Sequence, residues 1–174
     1  MSAVTSPAVA RVYLRRPTLA DTASFVAAVA TSQALHLPWV QAPGTAAAFE
    51  HYLERMAEPS HEPFLVRRRG TDAIVGVINL TNIVLGSFCS GYLGYYAFRG
   101  HERQGLMREG LRLVVEHSFT QLGLHRLEAN IQPGNLASLA LARSCGFQRE
   151  GFSPRYLRIN GDWRDHERWA IIAE

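Results

Sequence analysis

GYLGYYAF, from Gly91 to Phe98, reads as an aromatic-rich strand, and from Leu106 onward apolar residues recur at helical spacing. Between them lies only a short basic loop, so that FRGHERQGLMREGL, Phe98 to Leu111, runs from strand straight into amphipathic helix. Gly100, Gly105 and Gly110 flank or enter the helix start. At such a start the unpaired backbone N–H groups and the positive end of the helix dipole can receive a phosphate. No Gly-Lys-Ser/Thr follows and no Gly-x-Gly-x-x-Gly spacing is present, which excludes a Walker or kinase-like loop. The expected ligand is phosphorylated, but is neither ATP nor NAD.

A chain of 174 residues fits one domain and can bury roughly 70% of its unfolded surface, enough for a proper core. The longest apolar runs, such as AIVGVINL from Ala73, are too short to span a bilayer, and the N-terminus MSAVTSPAVARVYLRRP lacks a charged start followed by an apolar stretch. A cytoplasmic protein without a membrane partner is expected, with residues 1–10 as a flexible N-terminus. Cys89 and Cys145 alone cannot build a disulfide framework. The net charge of +3 comes from scattered or paired arginines with no lysine at all, so direct nucleic-acid binding is not expected. The seven histidines show no metal-ligand spacing with Cys or Glu, and no metal is expected.

The order of elements follows from periodicity and punctuation. RVYLRRP is an opening strand, Asp21 begins a helical pattern carrying Phe25, Val26 and Val29, and Thr45 precedes a second with Phe49, Tyr52, Leu53 and Met56. FLVRRR and AIVGVINLT are strands joined at Gly70-Thr71-Asp72, and GYLGYYAF is the third of that run. The helix after the loop extends to about Leu122 with Leu111, Val114, Val115 and Phe119 on one stripe. HRLEANI is a strand, Asn135 caps a short helix from Leu136 to Cys145, and two last strands meet at Asn160-Gly161-Asp162, a hairpin signal. No linker or repeat divides the chain, so the reading is one mixed α/β (α+β) domain, a central sheet of six or seven strands flanked by about four helices.

This order resembles the GNAT superfamily of acyl-CoA N-acyltransferases. GLMREGL (Gly105 to Leu111), HRLEANIQPGNLASLALARSCGFQREG (His125 to Gly151) and INGDWRDH (Ile159 to His166) are similar to the ribosomal-protein alanine N-acetyltransferases of the RimJ/RimL type. The resemblance implies acetyl-CoA as donor, wedged between the strand ending at Phe98 and the strand of Leu127. It implies that the backbone N–H groups of Arg103, Gln104, Gly105, Leu106 and Met107 cradle the pyrophosphate, and that Ala97 and Phe98 pair with the pantetheine arm. Asn135 and Ser138 would face the sulfur, and Arg143 would approach the adenosine phosphates. The usual loop signature is Gln/Arg-x-x-Gly-x-Gly/Ala, and its register puts Gly100 first and Arg103 in place of the first glycine. An arginine there needs either ordinary backbone angles or a side chain turned away from the phosphates, unless its charge adds a contact to them.

Transfer to an amine requires a neutral nucleophile and a proton donor for the departing thiolate. The tyrosine donor common in the family is replaced by Ala142, and Ser138 stands at the RimL-like donor position, where it could equally serve only to cap its helix. The glutamate positions of the family fall at Leu157 and Tyr92, leaving Glu128 as the nearest strand carboxylate and candidate base. His125, Asp162 and His166 are further candidates, read chiefly as turn or surface residues. A covalent cysteine route is disfavoured, since Cys145 sits at a helix C-terminus where the dipole opposes a thiolate.

An N-terminal α-amine, with a pKa near 7.7 to 8.0, is partly neutral at cellular pH and suits such an enzyme. The resemblance makes a protein N-terminus, that of a ribosomal protein, the leading acceptor, and for such an amine strict dependence on one carboxylate is not required. A small-molecule amine (amino acid, polyamine or antibiotic) and a silent CoA-binding module are the alternatives. Trp39, Phe88, Tyr92 and Trp163 are expected to line the acceptor pocket, and the oligomeric state is monomer or homodimer.

Overall fold

The computed structural model describes residues 10–174, and the flexible N-terminus expected over residues 1–10 falls, but for Ala10, outside them. Strands β1 (Val12–Arg15), β2 (Glu62–Arg68), β3 (Ile74–Val84), β4 (Ser90–Ala97), β5 (Arg126–Ile131), β6 (Gln148–Ile159) and β7 (Asp162–Ile172) form one sheet. Its order is β1-β2-β3-β4-β5-β7-β6, seven strands in all. Helices α1 (Thr22–His36), α2 (Ala46–Arg55), α3 (Leu106–Thr120) and α4 (Leu136–Ser144) cover its faces. The single mixed α/β domain expected from the sequence is the one that forms.

Local chemistry sets the boundaries. The Thr45 side chain accepts from Ala48 N–H at the start of α2, and the Asn135 side chain accepts from Ser138 N–H at the start of α4. Asn160 and Gly161, at φ of +53° and +89°, make the β6–β7 turn in the doubly left-handed form that matches strand twist. Behind the sheet α3 and α4 bury Leu111, Val114 and Ala142 against Leu80, Leu127 and Ala129. In front, α1 and α2 close an aromatic cluster in which Phe25 meets Phe49 at 4.3 Å and Phe98 edge-on at 5.5 Å. Asp21, buried at the entry to α1, accepts from Arg15 of β1 and Arg67 of β2 and ties that helix to the sheet edge.

The sheet splits at one place. Every neighbouring pair is antiparallel except β4 and β5, whose parallel pairing covers only Ser90–Leu93 against Arg126–Ala129. Beyond it β4 stays with β3 as far as Ala97, and β5 stays with β7 as far as Ile131. A wedge opens between them, and α3 begins at its mouth.

Candidate active site

The wedge is the floor of a groove of about 1340 Å³. One end is the loop and first turn of α3, lined by His101, Arg103, Gly105, Leu106, Met107 and Arg108. The other passes under the loop after α1 and the β6–β7 hairpin, where Trp39, Tyr92, Asn130, Tyr156, Leu157 and His166 face it. Asn135 and Ser138 lie between these ends.

At the α3 end the cap residue is Gly105, left-handed at φ +74°, and no side chain caps the helix. The backbone N–H groups from Arg103 to Arg108 find no acceptor among the described residues, so they remain free for an anion. Arg11 braces the loop: its backbone N–H and Nε both donate to the Glu109 carboxylate and its guanidinium donates to the Gln104 carbonyl (2.9 Å). The Gln104 side chain folds back onto the Gly100 carbonyl, and the carboxylate of Glu102, which also lines this end, accepts from Gly100 N–H. Arg103 adopts φ +57°, which removes ordinary backbone angles from the alternatives stated for it. An arginine holds the left-handed conformation more usual for glycine, and the residue lies along the groove.

Along β4 the roles differ from those implied by resemblance. Phe98 N–H donates to the Val75 carbonyl (2.8 Å) and the ring is wholly buried in the α1–α2 cluster, so Phe98 is core and offers no donor to a ligand. Alternation then turns Ala97 toward the gap. Its carbonyl is already met by His36 Nε2–H (2.9 Å), which leaves the Ala97 N–H as the free group. Tyr95 emerges instead as a brace the sequence did not single out. Its hydroxyl, pushed up to about 12 by burial, donates to the Ser138 carbonyl (3.1 Å) and pins α4 across the split. Asn135 is the cap of α4, accepting from Ser138 N–H at 3.2 Å, and Ser138 Oγ has no partner among the described residues. Arg143 is misplaced by the sequence reading. It stacks over Trp169 with its guanidinium carbon 5.5 Å from the ring centroid, outside the groove lining.

At the hairpin end Trp39 and Tyr92 line the groove, and Leu157 lines it where the resemblance places a glutamate. The Trp39 ring lies against Gly134, its carbonyl accepts from Gln132, and the Asn160 side chain reaches the Pro38 carbonyl, so three segments close over this end. Phe88 and Trp163 do not take part: both are solvent-exposed and outside the lining, Phe88 in the β3–β4 loop at the end of β4 away from the wedge. Glu128 shares a face with Asn130 but is locked to Arg126 (2.8 Å), which also holds Glu150, and it does not line the groove. His166, by contrast, is buried rather than superficial and lines it. Burial pushes the Cys145 thiol up, which leaves it a poor nucleophile. Among the described residues no three His, Cys, Asp or Glu gather as a metal site would require.

A split parallel pair with a free helix N-terminus at its mouth is the frame of an acyl-CoA transferase, and the acetyltransferase (GNAT) domain model matches residues 11–148. The chain belongs to the GNAT family. Its relatives include a probable N-acetyltransferase, YjcK, of Bacillus subtilis, 35% identical over 121 residues that cover 70% of this chain and 67% of that protein. The [ribosomal protein uS5]-alanine N-acetyltransferase of Escherichia coli is 41% identical over 100 residues, 58% of this chain and 52% of the other, about half its length. Among solved structures, RimJ of Mycobacterium smegmatis in complex with CoA-disulfide superposes with a TM-score of 0.86 at 27% identity, covering 93% of this chain and 82% of that one. GNAT enzymes take their acetyl group from acetyl-CoA. The unpartnered N–H groups of the α3 turn, flanked by Arg103 and Arg108, fit its pyrophosphate, and the wedge fits its extended arm. No helix among the described residues is long and apolar enough to cross a membrane.

Proposed function

We propose that this GNAT enzyme acetylates the N-terminal α-amine of a protein, and that the protein is ribosomal and met in the cytoplasm, as the uS5-alanine relative suggests. One observation carries this reading. The acceptor end of the groove is lined by Trp39, Tyr92, Tyr156, Leu157 and neutral amides, and among the described residues no carboxylate and no arginine lines that end. A polyamine or polycationic antibiotic would bring several charges into a site with no anion to meet them, and a free amino acid would bring a carboxylate with no cation. A peptide N-terminus brings one amine that loses its charge before reacting, followed by amides that Asn82, Asn130 and Gln132 can bond.

In the transfer, the Ala97 N–H and the α3 turn hold the donor, and the Asn135 cap with the Tyr95 brace positions Ser138 beside the wedge. Ser138 Oγ is the group placed to return a proton to the departing thiolate. The test is thiol release from acetyl-CoA with eight-residue peptides beginning in Ala or Ser, the same peptides with blocked N-termini, spermidine and free alanine. Free-ended peptides are expected to exceed spermidine and alanine at least 100-fold in kcat/KM. Faster turnover of spermidine than of every peptide would overturn the proposal.

A further inference from the structure

The positions where the resemblance implies carboxylates hold Leu157 and Tyr92, and Glu128 is engaged by Arg126, so no carboxylate among the described residues lines the hairpin end of the groove. His166 is the buried group left over. Its Nδ1 lies 3.0 Å from the Arg164 carbonyl, a contact that requires the hydrogen on Nδ1. Nε2 therefore carries the lone pair in the neutral ring, and the ring's one hydrogen bond among the described residues is the one at Nδ1. On β5, Leu127, Ala129 and Ile131 face the α3 core, which puts Asn130 on the opposite, acceptor-side face. Asn130 pairs with Arg168 of β7, and His166 lies two residues along β7 on that same face. The two are diagonal neighbours, their Cβ atoms roughly 7 Å apart, the separation one amine nitrogen can bridge. Asn130 Oδ1 is itself buried without a hydrogen-bond partner, on a residue that lines the groove.

We propose that His166 is the general base for the acceptor amine and that Asn130 orients it. This rests on the reading of that end of the groove as the acceptor site. The ammonium donates one N–H to Asn130 Oδ1 and gives a second proton to His166 Nε2. The freed lone pair forms the N–C bond at the thioester carbonyl, the C–S bond breaks, and the thiolate takes a proton from Ser138 or water. The extra proton on the new amide nitrogen passes to the Ser138 alkoxide, or to the hydroxide where water was the donor, which restores that group, and the imidazolium returns its own proton to solvent through the groove. Besides Asn130, the polar groups around His166 are Ser153 and Tyr156 of β6, the latter ring 6.2 Å away, and Arg164, Asp165 and Arg168 of its own strand. Burial holds the imidazole below its usual range, which keeps the base form populated at neutral pH.

The experiment compares kcat/KM from pH 6.5 to 9.5 for wild type, His166→Asn and His166→Gln, using whichever amine the wild type turns over best. Failure of the peptide reading and failure of this one then show separately. The asparagine keeps a donor for the Arg164 carbonyl and removes Nε2, and the glutamine is a second shape should the first lose acetyl-CoA binding. Both are expected to fall about 100-fold at pH 7. The gap should close to a few-fold once the pH passes the pKa of the amine used: by pH 9.5 for an α-amine with a pKa near 8, and at a correspondingly higher pH for an alkyl amine such as spermidine, for which the series is extended. A loss equally large on both sides of that pKa marks a merely structural role and overturns the proposal. Asn130→Ser should raise KM for the amine several-fold with the pH profile intact, and an unchanged KM overturns Asn130's part.

Discussion

Arg103 shows how much one side chain can ask of its backbone. A non-glycine residue in the left-handed region costs on the order of 1 kcal/mol, which a glycine there would recover, offset by the roughly 0.4–1 kcal/mol that glycine loses through a freer unfolded chain. Arg103→Gly is therefore expected to leave the melting temperature nearly unchanged. What it removes is an exposed cation beside the phosphate cradle, worth about 1 kcal/mol at low salt. Acetyl-CoA should bind about five-fold more weakly by calorimetry in low-salt buffer, with the difference shrinking at 0.5 M salt; equal affinity at low salt would show that the guanidinium points into water. Ser138 poses the opposite case. Its N–H, not its hydroxyl, is what Asn135 caps, so Ser138→Ala should leave stability and acetyl-CoA affinity unchanged while kcat falls about ten-fold. Full turnover by that variant would remove Ser138 from the mechanism.

At the scale of elements, the cradle depends on how closely α3 is drawn onto the sheet. Gly76 of β3 makes that approach possible: a Cβ there would lie 2.5 Å from the Tyr96 carbonyl oxygen of β4 and 2.5 Å from the Met107 sulfur in the first turn of α3. The sulfur can swing aside, but the backbone oxygen cannot. Gly76→Ala is expected to cost 2 kcal/mol or more by denaturant unfolding and, by shifting the α3 start, to weaken acetyl-CoA binding as well. Much of this architecture was legible in the chain. Thr45, Asn135 and the Asn160-Gly161 turn act through neighbours a few residues away, so cap and hairpin signals located α2, α4 and the last two strands to within a residue or two. What was not legible depended on facing. Nothing local says that Phe98 turns into the α1–α2 cluster, that Arg143 stacks on Trp169, or that Phe88 lies away from the wedge. His166 looked superficial because WRDH is a polar string, yet of its four residues His166 alone is buried, next to the stretch of β7 that pairs with β5. Tyr95 was hidden among three tyrosines of one strand, and only the placement of α4 distinguishes it from Tyr96.

Considered whole, the molecule places two neutral histidines inside itself, and its response to acid follows from that. Burial lowers the pKa of His36, whose Nε2–H holds the Ala97 carbonyl, and of His166, whose Nδ1–H holds that of Arg164. In the unfolded chain both return to about 6.5. Below that pH the unfolded state binds protons that the folded state refuses, so stability rises with pH there and is lost as pH falls. The carboxylates act later. Burial pulls Asp21 upward, but Thr18 N–H, Arg15 and Arg67 outweigh it and hold the group below its usual range; Glu109, against Arg11, is likewise lowered. Their stabilisation is complete above about pH 4 and disappears only as pH drops further. Thermal unfolding is therefore expected to show two separate acid steps, one as pH falls from about 6.5 toward 5 and a second below about 4. His166→Asn should flatten the first step, since one of the two titrating groups is gone, and leave the second in place. A melting temperature constant between pH 7 and 5 in the wild type would mean that the folded protein accepts these protons, and that neither imidazole is held neutral by its surroundings.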